Sequence, residues 1–237
     1  MVTTTPVMVG RGRASPSRRT GPTAREEILD AAGRLFAENG YAATSTRRIA
    51  LAVGMKQASL YYHFARKEDI LAELLAGTVK PSLDFSRRAG RSCRPPHVQL
   101  YALAHFDVSL LATGGANTGA LYQLPELRAD RFADFRRNRR TLQDAYGRRI
   151  EAGIRLGVFH RTPSPRLATE LVFALAESVI SLRANRRTVA DDVVPMIAEG
   201  CLRLLSCNEV DIREAAHVAA ELLGPSPPPC CTRPGRW

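Results

Sequence analysis

Residues 46–67, TRRIALAVGMKQASLYYHFARK, decide how the chain begins to fold. Their apolar residues recur at helical spacing on either side of Gly54, which suits a tight turn. The apolar positions are Ile49, Ala50, Val53, Leu60 and Phe64. Two helices of about two turns each are not stable alone. This stretch therefore predicts a pair of short helices that packs on a longer neighbour.

The longer neighbour precedes this stretch. Thr23 and Glu26 form a T-x-x-E capping box, and Gly40 suits the end of the helix that the box begins. One face of that helix is apolar, with Ile28, Leu29, Ala32, Leu35 and Phe36. A fourth helix begins near Lys67, and we expect it to end by Pro81 because proline disfavours a continuing helix.

A long helix followed by two short helices around a glycine turn is the helix-turn-helix arrangement. The outer face of the second short helix is then free to enter a DNA major groove. Residues 24–75 resemble the DNA-binding domain of the TetR family of transcriptional regulators. The resemblance rests on Thr46-x-x-Ile49-Ala50, then Gly54, then Ser59-Leu60-Tyr61-Tyr62-His63-Phe64-x-x-Lys67.

Helical periodicity continues beyond this region, and no convincing strand alternation occurs, so we expect an all-α chain. The resemblance implies a three-helix DNA-binding domain at 23–66 and a larger helical effector-binding and dimerisation domain at 67–223. Residues 1–22 are interpreted as a disordered basic arm and 224–237 as a disordered tail. In the larger part we expect helices at 96–112, 129–156, 165–184, 190–206 and 210–223.

The expected function is that of a DNA-binding transcriptional regulator. The resemblance implies a homodimer that binds palindromic double-stranded DNA as a repressor and releases it on binding a small-molecule effector. A regulator or architectural protein without an effector is the alternative. The chain carries 34 basic and 23 acidic side chains, and its net charge of +11 favours a polyanionic partner.

The candidate DNA contacts come from both short helices and from the start of the fourth. A hydroxyl at Thr46 suits a phosphate, Gln57 can pair with an adenine edge, and Ala58 can touch a thymine methyl group. The full set is Thr46, Arg47, Gln57, Ala58, Ser59, Tyr61, Tyr62, His63 and Lys67. At Lys56 and Arg66, where the family often has a helix-capping residue, this chain has cations, which we interpret as exchanging caps for attraction to phosphate.

The second half holds candidates that only the resemblance assigns. The expected effector pocket is lined by Leu103, Phe106, Leu110, Tyr122, Phe135, Tyr146 and Phe173. The expected dimer interface contains Leu171, Ala174, Leu175, Ser178, Leu182, Val194, Ile197, Cys201 and Leu204. His105 and Asp107 could orient a ligand, but we interpret them as a satisfied surface pair. Seven arginines are expected to form a solvated face, namely Arg131, Arg136, Arg137, Arg139, Arg140, Arg148 and Arg149.

Several other classes of protein are disfavoured. HExxH, G-x-S-x-G and P-loop motifs are lacking, so we expect no enzyme and no cofactor. The cysteines form no CxxC, and no histidine stands at zinc spacing along the chain, so we expect no metal site. Without an apolar run of about 18 residues or a secretory leader, we expect a cytoplasmic protein without membrane contact.

Overall fold

The protein is described from a computed structural model over residues 22–113, 116–160, 164–185 and 192–224. These ranges contain nine α-helices, which confirms the all-α class. The helices are α1 (Ala24–Asn39), α2 (Thr46–Ala52), α3 (Gln57–His63), α4 (Lys67–Ala89), α5 (Pro96–Thr113), α6 (Ala133–Arg155), α7 (Pro165–Asn185), α8 (Val193–Leu204) and α9 (Glu209–Leu223). The predicted basic arm and nearly all of the predicted tail lie outside the described residues.

The first helix begins at the capping box that the sequence predicts. The backbone N–H of Glu26 donates to Thr23 Oγ1 at 3.3 Å, and the backbone N–H of Thr23 donates to Glu26 Oε2 at 2.7 Å. The helix ends before Gly40, whose φ of +82° favours glycine and whose N–H donates to the Phe36 carbonyl at 3.1 Å. Both ends of α1 are therefore set by local sequence.

The two short helices also follow the prediction. Ser45 caps α2 by accepting from the backbone N–H of Arg48 at 3.2 Å. Gly54 turns the chain between α2 and α3 with a φ of +68°. Leu60 in α3 is fully buried, and no side chain caps α3 at Lys56. Burial of Leu60, rather than a side-chain cap, therefore stabilises α3.

The prediction that α4 ends by Pro81 is wrong, because the helix runs on to Ala89. Proline removes one backbone hydrogen bond and crowds the carbonyl of the residue four positions earlier, here Gly77. Gly77 is exposed and has open space around it, so the disturbed backbone can meet solvent. Meanwhile the other side of this stretch is buried against the core, including Val79, Ser82, Leu83, Phe85 and Ser86. Burial of that side outweighs the local cost of the proline.

The larger part of the fold is built around α5, which packs against α4, α6, α7, α8 and α9. The predicted helix at 129–156 begins only at Ala133. Three short 3-10 helices precede it, at Thr118–Gln123, Pro125–Arg128 and Asp130–Phe132. The Arg136 guanidinium donates to the carbonyls of Leu127 and Ala129, which stabilises this tighter connection.

The expected solvated arginine face is wrong for Arg149, which is buried. Its guanidinium donates to the Ala145 carbonyl at 2.8 Å and to the Ser86 carbonyl, on α4, at 2.9 Å. Burial lowers its pKa to about 10. Arg139 is partly buried and pairs with Glu177, with Nε to Oε1 at 2.9 Å. These two arginines therefore join α6 to neighbouring helices instead of facing solvent.

A glycine in α6 is required by close packing. A Cβ added at Gly153 would lie 2.2 Å from Cδ2 of the buried Phe159 ring. We expect Gly153→Ala to lower the free energy of unfolding by about 1–3 kcal/mol, the usual cost of overpacking a core. Denaturant unfolding measures this. Gly77→Ala is the control, since open space at that exposed helical site predicts a gain of about 0.5–1 kcal/mol. Equal effects of the two changes would contradict the packing argument.

Candidate nucleic-acid interface and ligand-binding core

The recognition helix α3 is fixed on one side and open on the other. Leu60 anchors it in the core, while Tyr61 is 47% exposed and Tyr62 is 90% exposed. The predicted base-contacting residues at the start of the helix, Gln57, Ala58 and Ser59, are also exposed. At this exposure, the Tyr62 side chain contributes almost no burial of apolar surface to the fold of the single chain. The face is therefore available to an external partner.

Three of the candidate DNA contacts bond to one another. Gln57 Nε2 donates to Thr46 Oγ1 at 3.0 Å and to the Tyr61 hydroxyl at 3.3 Å. The hydroxyls of Thr46 and Tyr61 are 3.1 Å apart. These hydrogen bonds, first that with Thr46 and then that with Gln57, lower the pKa of Tyr61. The polar triangle joins the start of α2 to α3, so both helices present their polar groups as one surface.

Lys67, a candidate DNA contact, is partly buried and hydrogen-bonded within the chain. Its ammonium donates to the carbonyls of Tyr41 and Thr44 at 2.9 and 3.0 Å and lies 4.1 Å from the centre of the Tyr41 ring. Lys67 therefore ties the N-terminus of α4 to the turn between α1 and α2. A lysine ammonium has three N–H donors, so one is left after these two bonds.

The remaining DNA candidates differ in exposure. Arg47 is exposed on α2. His63 is half-buried, with its ring edge-on to the Tyr62 ring at 5.6 Å between centroids. Sequence reasoning missed Arg25, which donates to the His63 carbonyl at 2.7 Å and stacks 4.0 Å from the centre of the Phe64 ring. Arg25 also pairs with Glu73 of α4, so it holds the C-terminal end of α3. No local sequence pattern indicates this role.

Comparison with known proteins supports this interpretation of the geometry. Residues 28–74 match the family described as "Bacterial regulatory proteins, tetR family". The solved structure of AmtR from Mycobacterium smegmatis is 48% identical, covering 89% of this chain and 99% of that one, with a TM-score of 0.80. The chain belongs to the TetR family. Its members are DNA-binding transcriptional regulators.

Two further relatives show how the similarity is distributed. The transcriptional repressor KstR2 of Rhodococcus jostii is 51% identical over 53 residues, which are 22% of this chain and 26% of the relative. The chain thus matches about a quarter of the length of this curated relative. AibR, solved in complex with isovaleryl coenzyme A and operator DNA, is 19% identical with a TM-score of 0.63, covering 76% of this chain and 97% of that one. AibR shares the fold.

The side chains predicted to line an effector pocket in this TetR-family protein mostly pack against one another. Tyr122 lies against Phe135 at 5.3 Å between ring centroids, and Tyr146 lies against Phe173 at 5.4 Å. Phe106 stacks on Phe85 at 4.5 Å. Leu103 is fully buried, and Leu110 is partly buried. Apart from Leu110, the predicted residues thus lie in or against one helical core.

The interpretation of Asp107 as a surface residue is wrong, because it is only 2% exposed. Its two carboxylate oxygens accept from the Ser82 hydroxyl at 2.7 Å and from the Tyr146 hydroxyl at 3.1 Å. Tyr122 donates in turn to the Thr78 hydroxyl at 2.7 Å. Helical spacing alone did not predict that α4, α5 and α6 would bring these polar groups together.

An open cleft of about 920 Å³ separates the helix-turn-helix from the larger helical part. Its walls come from α1, α4, α6 and the 3-10 helix Asp130–Phe132, and they carry charges of both signs, including Arg25, Glu73, Lys80 and Arg131. Of the predicted pocket residues, Phe135 lines this cleft. A molecule in the cleft would touch α1 and α4 on one side and α6 on the other.

The candidate dimer residues fall into two groups. Leu171, Ala174, Leu182 and Leu204 are exposed on α7 and α8. Leu175, Ser178 and Val194 are partly exposed. Ile197 and Cys201 are buried inside the chain, so they face its own core rather than a partner. Leu167 and Met196, which were not predicted, are 53% and 59% exposed and extend the apolar face.

No helix in the described part of the chain has the length and apolar character to cross a membrane.

Burial of Asp107 predicts an unusual pH dependence. Desolvation raises its pKa to about 6, against 3.8 for an ordinary aspartate, although the hydrogen bonds from Ser82 and Tyr146 lower it. Between about pH 4 and pH 6, the Asp107 carboxyl is therefore protonated in the folded chain but ionised in the unfolded chain. The contribution of Asp107 to stability falls by about 3 kcal/mol as pH rises from about 4 to about 6.

We expect Asp107→Asn to remove this loss. Its free energy of unfolding, relative to the unsubstituted chain, should rise by about 3 kcal/mol between pH 4 and pH 7 in urea titrations. Asp84→Asn, at an exposed aspartate on α4, is the control and should show little change. Parallel pH profiles for the Asp107→Asn variant and the unsubstituted chain would contradict the prediction.

Proposed function

We propose that the chain is a homodimeric transcriptional repressor that binds a palindromic operator and releases it when a small molecule binds the helical core. The observation that carries the DNA-binding part is the exposed polar and aromatic face of α3, anchored from behind by Leu60. A helix held in this way enters the major groove without rearranging its own core. Repression is proposed because relatives such as KstR2 are named repressors.

Each candidate DNA contact has a proposed role that follows from its exposure. Gln57, Ala58 and Ser59 read base edges, because the N-terminal residues of a recognition helix reach them. Tyr61, Tyr62 and Thr46 position the helix through the DNA backbone, aided by Arg47 and His63. Lys67 acts through the turn that it holds and offers its remaining N–H to a phosphate. Docking exchanges the hydrogen bonds of the Thr46–Gln57–Tyr61 triangle for bonds to DNA.

The dimer is proposed to form through α7 and α8. Leu167, Leu171 and Leu182 expose large apolar side chains along α7, and Met196 and Leu204 do so on α8. Because α7 and α8 pack against each other, these exposed apolar side chains support an interface on the two helices. A symmetric pair of chains would place two α3 helices about one DNA turn apart, or a multiple of it, and so match a palindrome.

Effector control is proposed to act through α4. This helix begins beside the turn between α1 and α2, where Lys67 bonds to the Tyr41 and Thr44 carbonyls. Further along, it packs against α5 and α6. The cleft between α1, α4 and α6 gives a ligand access to both parts. If α4 can adopt two orientations, a ligand that binds one of them more tightly shifts the population toward it and so changes the spacing of the two α3 helices in the dimer. The solved complex of AibR, which has the same fold, with isovaleryl coenzyme A and operator DNA supports this proposal.

The alternative is a DNA-binding regulator or architectural protein without an effector. The observation that favours it is the mutual packing of the predicted pocket residues, such as Tyr146 on Phe173. In that case the buried polar groups around Asp107 would serve only to fix the packing of α4, α5 and α6. The two proposals make the same prediction for DNA and differ only in whether small molecules release it.

Replacing an arginine on α2 tests the DNA-binding face. We expect Arg47→Ala to weaken binding to DNA from around the protein's own coding region and to reduce the salt dependence of the affinity by about one unit of slope. Fluorescence anisotropy across a salt series measures both quantities. Arg155→Ala, at an exposed arginine at the end of α6, removes the same charge far from α3 and should leave both unchanged.

The same assay separates the proposed function from its alternative. Equal losses in Arg47→Ala and Arg155→Ala would mean that non-specific charge, and not the α3 face, binds the DNA. If the specific complex forms, a panel of small acids, amides, phenols and coenzyme A thioesters is added to it. Release by one of these compounds supports effector control, and release by none supports the effector-free alternative.

A charge placed on the apolar face tests the dimer. We expect Leu171→Glu to convert the dimer to a monomer in sedimentation experiments, because burying an unpaired carboxylate at the interface is strongly unfavourable. Leu156→Glu introduces the same charge at an exposed leucine that follows α6 and should leave the dimer intact. Dimers in both variants would exclude this face. Circular dichroism checks that both variants fold.

A further inference from the structure

His97 lies in the first turn of α5 and is only 5% exposed. Neither of its ring nitrogens, Nδ1 or Nε2, has a hydrogen-bond partner among the described residues. Buried polar atoms in folded proteins are nearly always partnered, so an orphaned imidazole calls for a specific reason. The proposed DNA-binding and effector functions do not use this residue.

Two carboxylates of α9 face this imidazole. One ligand atom each from His97, Asp211 and Glu214 lies within 4.8 Å of the others. The spacing of three residues puts Asp211 and Glu214 on the same side of α9. Asn208 donates from Nδ2 to Asp211 Oδ2 at 2.8 Å, which holds that carboxylate in place. The cluster is therefore an orphaned nitrogen next to one fixed and one exposed carboxylate.

The chemistry of the three groups suits a divalent metal ion. Burial lowers the pKa of His97, while Asp211 and Glu214 raise it, and the neutral ring is the form that ligates metal. Two carboxylates balance a charge of +2. A nitrogen donor favours zinc and similar transition metals over magnesium or calcium, which prefer oxygen alone.

We propose that His97, Asp211 and Glu214 form a three-ligand site for a divalent transition-metal ion of the zinc type, with the remaining coordination open to water. Zinc lies about 2.0–2.2 Å from nitrogen and oxygen ligands, so the donor atoms must come closer together than their outer limit of 4.8 Å. Glu214 is exposed and can make that movement by changing rotamer. Its exposed side is also the path by which the ion enters.

The metal would join two helices that are far apart along the chain. It would link the first turn of α5, just after the α4–α5 connection, to the first half of α9. Sequence inspection missed the site because it looked for ligands at close spacing, whereas His97 and Asp211 are separated by more than a hundred residues. Binding of the ion would stabilise the folded chain, since the unfolded chain does not hold the three ligands together.

Metal titration of the full chain tests the site. The untagged protein is stripped with a chelator and titrated near neutral pH with Zn²⁺ and, separately, with Co²⁺ in a calorimeter. We expect one equivalent per chain, and Glu214→Gln and Asp211→Asn should each weaken binding at least tenfold. His217→Gln removes an exposed histidine on the same helix and is the matched control that should bind as tightly as the unsubstituted chain.

Two further readouts identify the ligands. At one fixed Zn²⁺ concentration, the melting temperature of the unsubstituted chain and of His217→Gln should rise by the same amount, and that of Glu214→Gln should rise by less. The Co²⁺ complex should lack the sulfur-to-cobalt charge-transfer absorption of a thiolate ligand. Burial raises the pKa of Cys201 to about 12 and that of Cys207 to about 11, so both remain protonated thiols.

Three results would overturn the proposal. These are the lack of stoichiometric binding, equal affinity in Glu214→Gln and the unsubstituted chain, and a thiolate signature in the Co²⁺ spectrum. A melting temperature that responds to acidification but not to metal would instead show that protonated His97 forms an ion pair with the two carboxylates. Glu214 and His217 are both exposed, so we expect substitutions there to leave the fold intact. The comparison of Glu214→Gln with His217→Gln therefore does not depend on a variant that fails to fold.

Discussion

The arrangement of the molecule depends on the continuity of α4. At its N-terminus, the ammonium of Lys67 bonds to two backbone carbonyls of the turn between α1 and α2, and Arg25 pairs with Glu73 one and a half turns further along. At the other end, α4 is buried between α5 and α6. Because a helix is stiff along its axis, α4 couples the helix-turn-helix to the larger part, together with the contact between α1 and the 3-10 helix Thr118–Gln123. Pro81 does not interrupt it, since burial on the far side offsets the missing hydrogen bond.

The two parts that α4 joins are stabilised in different ways. The helix-turn-helix is small, and its two short helices persist through a few fully buried side chains such as Ile49 and Leu60. The outer surfaces of these helices carry polar and aromatic groups that are bonded to each other but not buried. The larger part contains buried polar groups as well, above all Asp107, whose two oxygens are both satisfied. Such a network requires one particular packing of α4, α5 and α6, because any other packing would leave a buried carboxylate unpartnered.

The buried polar residues of the larger part differ in whether they have hydrogen-bond partners. Asp107 and the two terminal nitrogens of Arg149 each have hydrogen-bond partners, including one on another helix, although Arg149 Nε has none among the described residues. His97, in contrast, is buried with neither ring nitrogen hydrogen-bonded among the residues that the structure describes, and carboxylate oxygens of Asp211 and Glu214 in α9 lie within 4.8 Å of it. That difference points to an ion at one position and to internal hydrogen bonds at the others. Family resemblance alone did not indicate it.

The sequence by itself determined the helix-turn-helix. The capping box at Thr23, the glycines at positions 40 and 54 and the burial of Leu60 act within short stretches of chain, so residue order is enough to predict them. Only the tertiary structure decided that α4 passes through Pro81, that Arg149 and Asp107 are buried, and that Lys67 bonds to the turn instead of standing free. Each of these depends on groups that meet from distant parts of the chain. Periodicity gives the face on which a residue lies but not the partner that it meets there.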